Sequence, residues 1–372
     1  MGADVNRRLA VAGLTASLGA VLARAPRALG GTAFAASGPS GAAELLVHST
    51  TDTALFAPVI RAFQAQNPGL AIRYEELDAG ELYERFVADL GARRRVADLL
   101  LSAAMDLQVK LVNDGHAAPH RSGNSQALPP WARWRDEAFG YTFEPAVMVF
   151  SRAAMAGRPP PRSRAELLQA LLREPDFYRG RVGTYDIARS RVGYLLASQD
   201  ARLSSEFSVL LETLGALAPR TAVRTSDLLD LLARGEIVMA YNLLGPYAAA
   251  RVDAGAALDI VYPDDYTLAV ARTAVIPARA ARPEAAHRFL EFLLSLPGQR
   301  LQAELGRMPA VRPELAGSSG MPVVGDARIG LPRPIALGPG LLVYLDPQKR
   351  ARLLAAWQDA LRPRATARAT GA

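Results

Sequence analysis

Residues 44–52 read ELLVHSTTD, and residues 53–67 continue as TALFAPVIRAFQAQN. Leu45, Leu46 and Val47 are apolar without alternation, which predicts a short strand buried on both faces. Leu55, Phe56, Val59, Ile60 and Phe63 then recur at helical spacing, and Asn67-Pro68-Gly69 ends the pattern. His48, Ser49, Thr50, Thr51 and Asp52 occupy the junction. A strand that runs through hydroxyl residues into a helix presents free backbone N–H groups and the positive end of the helix dipole, an arrangement suited to an anion. A plain N-terminal cap made by the same residues is the simpler alternative.

The same unit recurs along the chain. LAIRYEEL (70–77) alternates as a strand and GELYERFVADL (80–90) is an amphipathic helix with Leu82, Phe86, Val87 and Leu90 on one face. LLLSAAMD (99–106) repeats the strand, hydroxyl and helix order, and so does RVGTYDIARS (181–190). TSDLLDLLARGE (225–236) reads as a helix with Thr225 or Ser226 as its cap, and IVMAYN (237–242) as the next strand. Alternating strands and helices predict an α/β fold with mostly parallel sheets. GYTFEPAVMVFS (140–151) and LDIVYPDDYTLAVARTAVIP (258–277) are long strand-like runs that read as crossings between two lobes. The expected division is a signal peptide at 1–35, a flexible lead-in at 36–43, lobe one at 44–143 and 268–362, lobe two at 144–267, and a disordered tail at 363–372.

Composition narrows the chemistry. The 372 residues carry 43 basic and 36 acidic side chains, a net charge of +7, and no cysteine. Disulfides, zinc-thiolate sites and cysteine nucleophiles are thereby excluded. The arginines are scattered and no nucleic-acid-binding motif occurs, so no nucleic-acid partner is expected. Four histidines form no HExxH motif; His116 and His120 stand four apart in a Gly- and Pro-containing segment that does not read as a helix. No Gly-x-Ser-x-Gly elbow, P-loop or dinucleotide fingerprint is present, and neither an enzyme, a metal site nor a cofactor is expected. Arg7 and Arg8 precede the apolar stretch Leu9–Ala23, and Ala33-Phe34-Ala35 offers a small-x-small cleavage site. That layout predicts export through the Sec or Tat route and a periplasmic location. Removal of 1–35 would take away four arginines and one aspartate and lower the charge from +7 to +4.

The stretches LLVHSTTD, GELYERFVADL, VADLLLSAAMDLQVKLVNDGHAAPH and EIVMAYNLLGPYAAA, in this order and spacing, resemble the periplasmic solute-binding proteins of ABC importers, in the branch related to iron(III)-binding proteins. The resemblance covers roughly residues 44–310. It implies a two-lobed periplasmic-binding-protein fold of the class II type, with two hinge-crossing strands. It further implies a monomer that closes on a solute and delivers it to a membrane permease, or that serves as a ligand-sensing module for a membrane sensor kinase. Iron-binding members use adjacent tyrosines in the second lobe. Here Tyr241 is followed by Asn242 and Tyr247 stands apart, which argues against ferric iron, the alternative ligand. Organophosphate-binding members are similar at the hydroxyl loops. The resemblance therefore points to a small anionic solute, a hexose phosphate or phosphoglycerate. The residues expected to bind it are Ser49, Thr50, Thr51, Ser102, Ala103, Asp106, Thr184, Tyr185, Asp186, Arg189 (with Arg191 as the alternative arginine), Tyr241 and Asn242.

Overall fold

The computed structural model describes residues 31–37, 43–305, 308–315 and 330–362. Most of the expected leader, part of the lead-in and the tail lie outside them. In chain order the first elements are β1 (Thr32–Phe34), β2 (Ala43–Ser49), α1 (Thr53–Gln66), β3 (Leu70–Glu76), α2 (Ala79–Gly91), β4 (Leu99–Ser102), α3 (Met105–Asn113) and α4 (Gly123–Gln126). Next come β5 (Arg133–Trp134), β6 (Ala138–Gly140), β7 (Glu144–Ser151), α5 (Arg164–Arg173), α6 (Pro175–Tyr178), β8 (Val182–Tyr185), α7 (Arg191–Leu203) and α8 (Phe207–Ala216). They are followed by β9 (Arg220–Ala222), α9 (Thr225–Ala233), β10 (Met239–Leu244), α10 (Gly245–Asp253), β11 (Leu258–Val261), β12 (Thr267–Val270) and β13 (Thr273–Val275). The last are α11 (Pro283–Leu294), α12 (Leu296–Leu305), β14 (Pro332–Pro334) and α13 (Pro347–Leu361).

These strands form two sheets, in the orders β1-β3-β2-β4-β13-β6-β5 and β14-β12-β7-β10-β8-β9, with β11 also on β7. Strands β2, β3 and β4 are parallel in the first sheet, as are β8, β9 and β10 in the second. Their apolar runs are explained by helices on both faces. Leu45 and Val47 pack with Phe56, Phe63 and Phe289, whereas Leu46 points the other way, onto Leu82, Phe86 and Leu100. The Phe63 and Phe289 rings pack in a tilted arrangement with centroids 4.6 Å apart. Val87, expected on the buried face of α2, is 41% exposed, because Leu82 and Phe86 already fill the contact with the sheet.

The chain passes from one sheet to the other twice within a few residues, between Gly140 and Glu144 and between Val270 and Thr273. The crossings run side by side and antiparallel: Val270 pairs with Glu144, Thr273 pairs with Gly140, and Tyr141 N–H donates to Arg272 O at 2.9 Å. A Cβ on Gly140 would lie 2.8 Å from the Ala271 Cβ, so this close approach requires glycine.

Two regions of the expected division deserve their observed placement. Thr32–Phe34, inside the expected leader, pairs with β3 at the edge of the first sheet. Cleavage after Ala35 would remove that strand. Residues 332–361, expected with lobe one, lie with elements of the second sheet: β14 pairs with β12, and α13 packs on α8. Between them the 3₁₀ turn Pro339–Leu345 rests on α3.

Candidate functional site

Strands β2, β3 and β4 from one sheet and β8, β9 and β10 from the other end on a common cleft. Ligands of open α/β sheets collect at such carboxyl ends. Thr50, Asp52, Leu77, Asp78, Ala79 and Ala103 line it from the first half. Tyr185, Arg189, Ser190, Arg191, Arg224, Thr225, Leu244 and Tyr247 line it from the second, and Arg272 reaches it from the crossing. Two helix N-termini open on the same space. Helix α7 is capped by Ser190, whose Oγ accepts the Gly193 N–H at 3.1 Å, and α9 begins at Thr225.

Arg272 organises the floor. It is buried, with Nε 2.7 Å from Glu144 Oε1, across the two crossings. Its Nη1 donates to Thr51 Oγ1 at 2.8 Å and to Thr50 Oγ1 at 3.4 Å, and its Nη2 donates to Tyr247 OH at 3.2 Å. Burial pushes the Tyr247 hydroxyl up to about 12, while Arg272 pulls the other way. Tyr247 in turn donates to Asp52 Oδ1 at 3.3 Å, across the cleft. Asp52 is the residue before α1, yet it makes no side-chain cap bond. The Thr53 N–H and hydroxyl instead donate to Glu76 Oε2 at 2.8 and 3.0 Å. Burial raises the Glu76 pKa, but the Thr53 bonds and Arg224 outweigh it and hold the carboxyl below its ordinary value. Arg224 joins the halves as well, 3.1 Å from both Glu76 and Asp78.

The structure brings Thr50, Ala103, Tyr185 and Arg189 together in the cleft, as expected from their positions after strands. Ser49, Thr51 and Ser102 sit just behind it. They are buried: Ser49 Oγ accepts the Thr51 N–H and Ser102 Oγ the Ala104 N–H, each at 3.1 Å, while Thr51 Oγ1 is taken by Arg272. Asp106 is buried in the first turn of α3, where it accepts the Leu107 N–H at 2.9 Å. Burial pushes its carboxyl up to about 6, against the pull of that N–H and of Arg191. Four further expected residues also lie off the cleft lining. Asp186 Oδ1 turns onto the Ala188 N–H, and Thr184 is buried beside Tyr241 and Asn242. Tyr241 and Asn242 point into the second half, where the Tyr241 hydroxyl and the Asn242 amide donate to Asp200 Oδ2 at 2.9 and 2.6 Å. A strand sends alternate residues to opposite faces, and the bulge at Ala240–Leu243, with Asn242 at φ 62°, aims this pair inward. Thr225 does not cap α9; its hydroxyl pairs with Tyr185 OH.

Asp78, Arg191, Arg224, Tyr247 and Arg272 complete the lining. Of these, Arg272 leaves a trace in the sequence, as a lone charge within the apolar run TLAVARTAV. Among the described residues no group of three or more histidines and acids is placed to hold a metal. His120 is instead paired, its ring nitrogens 3.0 Å from His287 Nδ1 and from Glu291 Oε2.

Residues 45–307 match the family model described as bacterial extracellular solute-binding protein. The chain belongs to that family. A substrate-binding protein of an ABC transporter from Agrobacterium tumefaciens is 39% identical, with 89% of this chain and 98% of that one aligned at a TM-score of 0.83. AfuA from Actinobacillus pleuropneumoniae, solved with exogenous fructose-6-phosphate bound, is 16% identical over 86% of this chain and 98% of its own, at a TM-score of 0.70. Iron-bound HitA from Pseudomonas aeruginosa is 18% identical over 85% and 99%, at a TM-score of 0.66. These last two share the fold. No curated protein matches the chain. The fold is therefore the two-lobed α/β architecture of periplasmic binding proteins, and the protein is a solute-binding component of an ABC transporter, not an enzyme.

Proposed function

We propose that the cleft captures a small anionic solute, an organic phosphate such as a sugar phosphate or phosphoglycerate, and that the protein is exported to the periplasm and hands this solute to its permease. The observation that carries the reading is the charge of the lining. Arg272 is offset by Glu144 and Arg224 by Glu76 and Asp78, which leaves Arg189 and Arg191 as the cations of the lining beside the N-termini of α7 and α9. Arg189 is exposed, and among the described residues no carboxylate lies within ion-pair distance of it, so its fork is free for a phosphate. Thr50 and the backbone around Ala103 face it from the other half. Asp52 and Asp78 suit the hydroxyls of a sugar or glycerate, since carboxylates accept such bonds.

Ferric iron fits less well. Iron needs phenolates, Tyr241 points away from the cleft, and burial pushes the hydroxyl of Tyr247, which does line it, up to about 12 against the pull of Arg272. Thermal-shift titration with fructose 6-phosphate, 3-phosphoglycerate and ferric citrate tests the reading. A ligand at a hundred times its Kd adds about 2.7 kcal/mol of stability, and one of the phosphates is expected to do so. A coloured ferric complex with no response to any phosphate overturns it.

A further inference from the structure

Strand β1 lies within the residues that a cut after Ala35 would discard, yet the first sheet uses all of it. Thr32, Ala33 and Phe34 pair antiparallel with Tyr74, Arg73 and Ile72, and β1 forms the edge of the sheet. Phe34 is buried in the cluster that holds Phe56, Phe63 and Ile72. The Gln64 Nε2 on α1 lies 3.1 Å from Phe34 O, 3.2 Å from Ala35 O and 3.0 Å from Leu70 O, and so ties the end of β1 to α1 and to the start of β3. A Cβ on Gly31 would lie 2.6 Å from Glu75 Cγ and 3.0 Å from Tyr74 O. The chain therefore already runs against β3 one residue before the strand begins.

Loss of residues 31–35 would uncover core surface and leave β3 as a bare edge with unpaired N–H and C=O groups, an aggregation hazard. Two small-x-small triplets stand between the apolar stretch and β1: Ala23-Arg24-Ala25 and Ala28-Leu29-Gly30. The first is followed by Pro26, whose tertiary amide is a poor peptidase substrate. The second ends at Gly30 and leaves β1 whole. Resting on the reading of the protein as exported, we propose that the leader is removed at the Gly30–Gly31 bond, so that β1 belongs to the mature fold. A leader peptidase hydrolyses that bond with water. The C–N bond breaks, the hydroxyl joins the Gly30 carbonyl carbon and the proton joins the Gly31 nitrogen. The products are a leader ending in a carboxyl group and a chain with a free amino terminus. The paired glycines then serve two ends: Gly30 is the small residue that the peptidase reads, and Gly31 is the one that fits against β3.

The test is expression of the full chain in a bacterium, followed by N-terminal sequencing and intact mass of the exported fraction. The expected first residues are Gly31, Thr32, Ala33 and Phe34. An exported chain that begins at Ala36, or one that keeps its leader, overturns the proposal while the export reading stands. Gly30→Leu should leave the precursor uncut, and Ala35→Leu should mature as the wild type does; the reverse pattern overturns the site. Phe34→Ala should be cut at the same bond and melt several degrees below the wild type, because a core side chain is truncated. An equal melting temperature would remove β1 from the mature fold and overturn the argument for this bond. If the full chain stays inside the cell with its leader intact, the export reading fails and the processing site with it.

Discussion

Arg164 and Arg272 are each buried against a buried carboxylate, Asp200 and Glu144, and they do different work. Arg164 lies inside the second half, 3.3 Å from Asp200 and 3.0 Å from Asp265, with its Nε donating to Tyr241 OH at 2.8 Å. Asp200 also accepts from Tyr266 at 2.7 Å and from Asn242, so the network closes on itself. Arg272 lies at the crossings against Glu144, but its remaining N–H groups reach Thr50, Thr51 and Tyr247 at the cleft floor. Burial of a charge is thus common to both. What separates a structural network from a functional one is where the leftover donors point.

Removing one partner breaks this comparison most directly. Asp200→Ala leaves Arg164 and two tyrosine hydroxyls without their acceptor in a dry interior, and should cost about 3–5 kcal/mol by urea denaturation. Solute affinity of the molecules that remain folded should be untouched, and a parallel loss of affinity would show that the two networks are coupled. Arg272→Met should cost about 3 kcal/mol by leaving Glu144 uncompensated, and Glu144→Leu in the same chain should restore most of it. The double variant should still fail to bind, since Thr50 and Tyr247 lose their organising cation. Binding by that variant would make Arg272 as purely structural as Arg164.

Asp106 sharpens the picture through pH. Its native pKa of about 6 exceeds the ordinary 3.8, so the native state holds its proton more tightly than the unfolded chain. The associated stability is complete below the ordinary value and is lost as pH rises through about 6. The difference corresponds to about 3 kcal/mol at most. Asp106→Asn should therefore raise stability at pH 7 and flatten its decline between pH 4 and 6, as followed by melting temperature. The smallest effect belongs to Arg224→Ala. Its bonds to Glu76 and Asp78 are partly exposed and worth about 1 kcal/mol or less. Because they span the cleft, the loss should appear in small-angle scattering as a more open unliganded molecule, with the melting temperature nearly unchanged.

Much of the fold was legible in the chain because it rests on local pattern. The apolar run Leu45–Val47, the helical spacing from Leu55 to Phe63 and the Asn67-Pro68-Gly69 stop correspond to β2, α1 and the turn after it. The two long strand-like runs are where the chain changes sheets. The loops at Thr50, Ala103 and Tyr185 reach the cleft for the same reason, since each follows a parallel strand. Tyr241 and Asn242 misled because they occupy a comparable strand end, and nothing local announces the bulge that turns them inward. Asp52 has the sequence of a helix cap and leaves that task to Glu76, which is 23 residues away from Thr53. Arg272 and Glu144 are 128 residues apart, and neither alone signals the other.

The sequence by itself determined the alternation of strands and helices, the two crossings, the family and the presence of polar loops at strand ends, because period and composition act over a few neighbouring residues. Only the tertiary structure decided which of those polar groups face the cleft. It paired Arg272 with Glu144, laid Arg350 of the C-terminal helix over Tyr194, and buried Ser49, Thr51 and Ser102 behind Thr50. Side-chain direction and long-range charge pairing depend on how whole elements pack, and packing is a property of the folded chain.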